Sequence, residues 1–323
     1  MAFNENTRVK IPAILHLCRL GYQYLSLTGA KWDLNTNIFP DIFSSSIKSI
    51  NSDKNLEDSD IKKLLEDISL CLDNEDLGEA FYKLLTGTSG IKLIDFNDFG
   101  KNSFHVVTEL TYKNGDDEFR PDITLLINGM PLAFVEVKKP NNHEGILAER
   151  DRINTRFKNK KFRKFINISQ VLVFSNNMEY DQDSIEPIQG AFYAPPSYTD
   201  AVFNCFREEN PAPVCALKPE DDGVENSVLK DTNLSAIKYS PEFITNKAPD
   251  TPTNRILSSL FCRERLAMLL KYCIAYVQET KGLEKHIMRY PQLFATKAIA
   301  QKIDKGAKKG IIWHTQGSGK TAL

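Results

Sequence analysis

Asp122, Glu136 and Lys138 have residue types and spacing suited to hydrolysis, and all three fall between Arg120 and Lys139 in RPDITLLINGMPLAFVEVKK. A strand alternates its faces with period two, so Glu136 and Lys138 project from one side of one strand. With Asp122 supplied by the neighbouring strand, they make an acid–acid–lysine group. Hydrolysing a phosphodiester needs a metal held by carboxylates, an activated water and a positive group near the phosphate. Asp122 and Glu136 offer hard oxygen ligands for Mg2+, with the Val137 carbonyl beside them. Lys138 stands where it orients or helps deprotonate the water, or steadies the developing charge. The bland alternative is the polar face of a half-exposed strand. Against it, Glu136 follows the apolar Leu132–Val135 and Asp122 adjoins Ile123–Ile127, places where a charge is rarely buried without a function.

A second group lies at the far end of the chain. Gly317, Ser318, Gly319, Lys320 and Thr321 follow the apolar Ile311-Ile312-Trp313. A glycine-rich turn after a strand presents backbone N–H groups to phosphates. Lys320 then reaches the β and γ oxygens, and Thr321 ligates Mg2+. ATP is the expected ligand. The pattern departs from GxxxxGK[ST] at its first position, where His314 stands.

The elements that must position these residues follow from periodicity. Residues 8–27 carry apolar positions at helical spacing up to Gly21, residues 35–55 are Asn/Ser/Asp-rich and irregular, and a second helix covers about 57–73. A third spans 75–86 and carries Glu79; the breaker Gly87–Gly90 ends it. The period then changes to two, predicting strands over 91–96, 104–112, 119–128 and 131–138, with Asn128-Gly129 as a tight hairpin turn. A charged helix over 144–165 and strands over 168–174 and 188–193 complete an α/β sandwich ending near residue 207. Residues 208–253 read as a linker, 266–277 and 286–303 as helices, and 309–314 as a short strand into the glycine-rich loop.

A length of 323 residues suits two domains, and 41% apolar content supplies real cores. A formal net charge of −1 means that any nucleic-acid contact must come from local basic patches. Six cysteines without a CxxC or a His/Cys cluster read as reduced thiols, not a zinc site or a disulfide framework. With no signal segment or membrane span in the sequence, an intracellular, cytoplasmic protein is expected.

Pro121-Asp122 followed by Glu136-Val137-Lys138 resembles the PD-(D/E)xK nuclease motif, and the helix–strands–helix–strand order is similar to that superfamily's core. Glu79 resembles the upstream acid of many members; the alternative is a solvated helix charge. The QxxxY element of some relatives is missing, for the helix after Lys138 has no Gln or Tyr and offers Arg152, Asn154 and Arg156 instead. HTQGSGKT resembles motif I of superfamily 2 helicases. Arg289-Tyr290-Pro291-Gln292 looks like the adenine-reading element before it, with Gln292 as reader; a helix start is the alternative. Together with NENTR at Asn4–Arg8, this ordered set resembles the R subunits of type I restriction–modification enzymes.

The resemblance implies an endonuclease domain over 1–207 with its core at about 75–195, a linker over 208–253, and the start of a RecA-like motor over 254–323, cut after motif I. Asp122 and Glu136 would ligate Mg2+, Lys138 would assist the attacking water and Glu79 would be auxiliary. Residues Gln292 and Gly317–Thr321 would bind ATP. Double-stranded DNA and the methylation and specificity subunits are the implied partners. The competing reading is an ATP-binding motor fragment whose N-terminal domain binds DNA or partner subunits without cutting.

Overall fold

The computed structural model describes residues 4–140, 145–180, 189–199, 201–208 and 216–313. A π-helical turn, Asn6–Lys10, runs into α1 (Ile11–Arg19), followed by β1 (Gln23–Tyr24), α2 (Pro40–Ile50), α3 (Asp58–Cys71) and α4 (Glu79–Thr86). Next come β2 (Phe104–Thr108), the small hairpin β3 (Tyr112–Asn114) and β4 (Asp117–Phe119), then β5 (Ile123–Ile127) and β6 (Met130–Val137). Helices α5 (Gly145–Phe157) and α6 (Arg163–Ile168) lead to β7 (Val171–Ser175), β8 (Ala191–Ala194) and β9 (Asn204–Cys205). The remainder is α7 (Asp222–Asp231), α8 (Pro241–Asn246), α9 (Pro252–Phe261), α10 (Arg263–Tyr272), β10 (Ile274–Glu279), β11 (Gly282–Ile287) and α11 (Tyr290–Asp304).

One mixed sheet runs in the order β1-β2-β5-β6-β7-β8-β9. Its centre is the antiparallel pair β5 and β6, and β7 lies parallel to β6 because the α5–α6 crossover returns the chain to the same end. Every residue of β5 and β6 is buried, since helices cover both faces. On one face Val135 and Val137 join a core with Ile14, Leu17, Leu257 and Phe261. On the other, Phe134 packs with Phe119, Phe157, Phe162 and Phe165. The Phe119 and Phe165 rings meet edge to face at 4.9 Å, the geometry aromatic quadrupoles favour. Each such ring contributes about 1.5–3 kcal/mol by burial.

The expected mixed α/β sheet flanked by helices is present, with several local differences. Residues 40–50 form α2 where irregular chain was expected. Pro40 starts it, and Phe43, Ile47 and Ile50 recur at helical spacing into the core, a stripe that the intervening serines masked. Residues 91–96 are no strand. Asparagine side chains satisfy their backbone instead: Asn51 bonds the N–H and C=O of Lys92, and Asn128 donates to the Leu93 carbonyl. The stretch 208–253, expected as a linker, holds α7 and α8, whose Val228, Leu229 and Phe243 belong to the main core. An antiparallel hairpin, β10–β11, interrupts what read as helices over 266–277 and 286–303.

Residues 309–313 are exposed and form no strand, having no sheet neighbour to pair with among the described residues. Among the described residues Cys18, Cys71, Cys205, Cys262 and Cys273 are in no disulfide, two of them being buried, and Cys215 lies outside the described residues. No helix among the described residues is long and apolar enough to cross a membrane.

Candidate active site

Asn128 and Gly129 have φ angles of 51° and 77°, as a tight hairpin turn requires. The Asn128 side chain is buried and anchors the turn; its amide donates to Leu93 O and Asn102 Oδ1 and its oxygen accepts from Ser103 N, each at 2.8 Å. A Cβ on Gly129 would come within 2.8 Å of Phe39 O and Phe43 N, so glycine is required for space as well as for φ.

This turn does not by itself align the two acids. From it Ile127 pairs with Met130 and Leu126 with Pro131, a register that would set Asp122 opposite Val135, on the other face from Glu136. Between Leu126 and Leu125 the pairing slips by one, so that Leu125 meets Ala133 and Ile123 meets Val135. Leu132 is the extra residue of the bulge, next to Pro131, which has no N–H to give to a ladder. The slip brings Asp122 level with Glu136 on one face.

There the side chains converge at the C-terminal end of β6. Asp122 Oδ2 accepts from the Val137 N–H at 3.0 Å and lies 4.0 Å from Lys138 Nζ. Its Oδ1 is 3.4 Å from the buried Lys10 Nζ, which also donates to Glu109 Oε1 at 2.6 Å. Glu136 is 5% exposed, and its Oε1 has no hydrogen-bond partner. Lys138 Nζ donates to its neighbour's carbonyl, Val137 O, at 3.0 Å and lies 3.8 Å from Glu149 Oε2. Glu149, on α5, is 3% exposed and also accepts from Arg152 at 2.8 Å.

The electrostatics follow from crowding acids in a dry place. Burial, then the nearby Asp122 charge, pushes the Glu136 carboxyl well above the usual carboxylate range, against the pull of Lys138. Burial works against the Lys138 ammonium, but Glu149, Asp122, Glu136 and Glu5 outweigh it and raise its pKa. Glu5 belongs to the same group: burial raises its carboxyl, Lys138 and Lys10 lower it, and the Lys139 N–H bonds it.

These residues suit a hard divalent cation. The orphaned Glu136 Oε1 is a buried oxygen without a donor, Asp122 faces it from the next strand, and both are carboxylates of the kind Mg2+ takes one or two of, keeping waters besides. Among the described residues no group of three His, Cys, Asp or Glu closes round a single point.

Glu79 is not brought to this place. Its carboxylate pairs with Lys83 at 2.6 Å on its own helix. That helix starts at Gly78 against Asn167, ahead of β7, whereas Val137 pairs with Ser175 at the opposite end of the parallel strands. Glu5, from the NENTR segment, lies beside Lys138 and Asp122 instead, and Glu149 is a further acid that sequence spacing did not single out. Nothing in a one-dimensional pattern ties residues 5 and 149 to strands near 122 and 136.

On α5, Arg152 is held by Glu149, Asn154 accepts from the Ala201 N–H at 2.9 Å, and Arg156 lies 4.2 Å above the Phe119 ring. Gln292 is buried, and its Oε1 accepts from the Arg289 N–H at 2.8 Å, capping α11. His314, Gly317, Ser318, Gly319, Lys320 and Thr321 lie outside the described residues.

The fold and this cluster define a mixed α/β domain with an acid–lysine centre at one end of its sheet. Residues 2–181 match the family model described as the type I restriction enzyme R protein N terminus, and the chain belongs to that family. Residues 291–323 match the SWI2/SNF2 ATPase model. The chain is 30% identical over 240 residues to the putative type I restriction enzyme MjaVIIP endonuclease subunit of Methanocaldococcus jannaschii, covering 71% of this chain and 18% of that protein. It is 27% identical over 354 residues to the putative MjaIXP endonuclease subunit of the same organism, covering 98% and 30%. With the type I restriction enzyme HindI endonuclease subunit of Haemophilus influenzae it shares 23% over 319 residues, covering 90% and 26%. The chain thus spans less than a third of the length of these relatives.

Proposed function

We infer that the chain is the nuclease-bearing part of the R subunit of a type I restriction enzyme, and that it cleaves DNA by Mg2+-dependent phosphodiester hydrolysis in the manner of PD-(D/E)xK nucleases. The observation that carries this is the convergence of Asp122, Glu136 and Lys138 at one end of the sheet, with Glu136 Oε1 buried and unpartnered. Family membership and the endonuclease-subunit names of the relatives support it.

Asp122 and Glu136 would hold Mg2+, with Glu5 in the auxiliary role first expected of Glu79. The bound ion would supply charge neutralisation at the phosphate and an acidified water. Lys138, whose ammonium form the surrounding carboxylates favour, would orient that water through its N–H donors and steady the charge growing on the phosphate oxygens. The Val137 N–H holds Asp122 Oδ2, and Glu149 holds Lys138, so the strand and α5 fix the reacting geometry before substrate arrives.

In the longer protein this cleavage would be coupled to ATP-driven DNA translocation. The SWI2/SNF2 match at residues 291–323 supports a motor starting there, with Gly317–Thr321 as its phosphate cradle. The methylation and specificity subunits would be its partners, double-stranded DNA the substrate and the cytoplasm its place of action. The dividing line between nuclease and motor is proposed to fall after β11, because α9 packs on α1 and contributes to the N-terminal core.

The test is Asp122→Ala and Lys138→Ala in the complete enzyme. Cleavage is expected to vanish while ATP hydrolysis persists. Loss of both activities would indicate a folding defect, and Glu136→Ala cutting at the wild-type rate would favour a domain that binds DNA without cutting.

A further inference from the structure

Two features border the acid–lysine centre, the N-terminal turn and Glu109. Residues Asn6–Lys10 wind as a π-helix, with the Ile11 N–H bonded back to Asn6 O. At 3.6 residues per turn, positions five apart lie about 140° round a helix from each other, whereas i→i+5 winding returns them to one face. Glu5 and Lys10 are five apart, and both reach the same carboxylate group: Lys10 Nζ is 3.4 Å from Asp122 Oδ1, and Glu5 senses Lys138, Asp122 and Lys10. The Lys10 side chain is 5% exposed. π-Turns are rare and occur frequently at functional sites.

The second feature is Glu109. It accepts from Lys10 at 2.6 Å and pairs with Arg120 at 3.5 Å through its other oxygen. Its backbone is left-handed, φ 54°, which a glutamate rarely adopts, and its N–H donates to Asp122 O at 3.2 Å. The strained residue is thus tied to Asp122 by its backbone and to Lys10 by its side chain. Asp122 is gripped on both oxygens, Oδ2 by Val137 N–H and Oδ1 by Lys10.

We propose that Lys10 is the positioning residue of the carboxylate site, an internal counter-cation that orients Asp122 and opposes a divalent cation there, with Glu109 setting how far it leans on Asp122. This rests on the reading of Asp122 and Glu136 as the metal-holding pair. Like charges a few ångströms apart in a buried site repel strongly, so removing the ammonium should favour the ion. A merely structural lysine would do the opposite, since its loss would loosen the site and weaken binding.

The experiment uses the 323-residue chain and Ca2+, read by calorimetric titration, with thermal melts in chelator. Lys10→Met is expected to bind Ca2+ about threefold or more tighter than wild type, and Lys10→Arg to bind as wild type does. Glu109→Gln, which frees Lys10 to lie on Asp122 alone, should weaken binding by a similar factor. Unchanged or weaker Ca2+ binding by a folded Lys10→Met overturns the proposal. If Lys10→Met does not fold, unchanged or tighter binding by Glu109→Gln overturns it.

A metal-free readout separates this from the reading beneath it. Shifts in melting temperature for Lys10→Met and Asp122→Asn should be non-additive in the double variant. Additive shifts overturn the contact. If Asp122→Asn leaves Ca2+ binding untouched, the metal reading falls, and non-additive melts would still establish Lys10 as the residue positioning Asp122.

Discussion

Glu136→Gln should make the chain more stable and, in the complete enzyme, inactive. Glu136 is 5% exposed, its Oε1 lacks a partner, and Asp122 and Glu149 add like charge nearby. An uncompensated buried charge costs several kcal/mol, whereas an unsatisfied neutral polar group costs about 1–3 kcal/mol. Because burial already drives this carboxyl toward its neutral form, only part of that difference is recovered. The expected gain is ~1–2 kcal/mol, or about 1.5–3 °C in Tm for a chain of this length. The amide keeps the volume, so no cavity forms. The assay is urea and thermal unfolding in chelator, which removes stabilisation by bound cations, with DNA cleavage measured in parallel. Cleavage should fall at least ~100-fold, the scale of losing one electrostatic stabiliser of the transition state. A variant less stable than wild type by more than about 1 kcal/mol, outside the error of such extrapolations, would refute the reasoning and make Glu136 a satisfied structural carboxylate.

Three further outcomes follow from the packing. Lys285 is buried, donating to Ser169 O at 3.0 Å, and burial lowers its pKa to about 7. The unfolded chain therefore binds the extra proton between pH 7 and the ordinary lysine range, so stability rises with pH there. From pH 7 to 9 the gain is about 2 kcal/mol, and Lys285→Met should remove that increment in urea unfolding relative to wild type. Gly129→Ala places a Cβ 2.8 Å from two backbone atoms at φ 77°; a loss of more than ~2 kcal/mol is expected by the same measurement. Glu79→Ala loses one ion pair to Lys83, whose side chain is 71% exposed, worth about 0.3–0.5 kcal/mol, and should leave cleavage within about twofold, whereas Glu5→Ala should reduce it; the reverse order in a cleavage assay would restore Glu79 to the site.

Local pattern alone located the strands that carry the acid–lysine cluster. Period-two apolar runs on either side of Asn128-Gly129 named β5, β6 and their turn, and the unusual acids within them named Asp122 and Glu136, because local propensity and burial cost both act through near neighbours. Motifs at Asn4–Arg8, Asp122–Lys138 and His314–Thr321 also named the family. Tertiary structure decided the rest. The bulge at Leu132, which a hairpin rule cannot foresee, puts the two acids on one face. Packing set Glu5 rather than Glu79 beside this cluster, and brought in Lys10, Glu109 and Glu149, because contacts between distant segments are fixed by how helices stack on the sheet. The asparagine-held stretch at 91–96 and the helices within 208–253 were hidden for the same reason: their backbone and apolar faces find partners far away in the chain. Spacing can place side chains along one strand. Only the fold can say which other strands and helices arrive beside it.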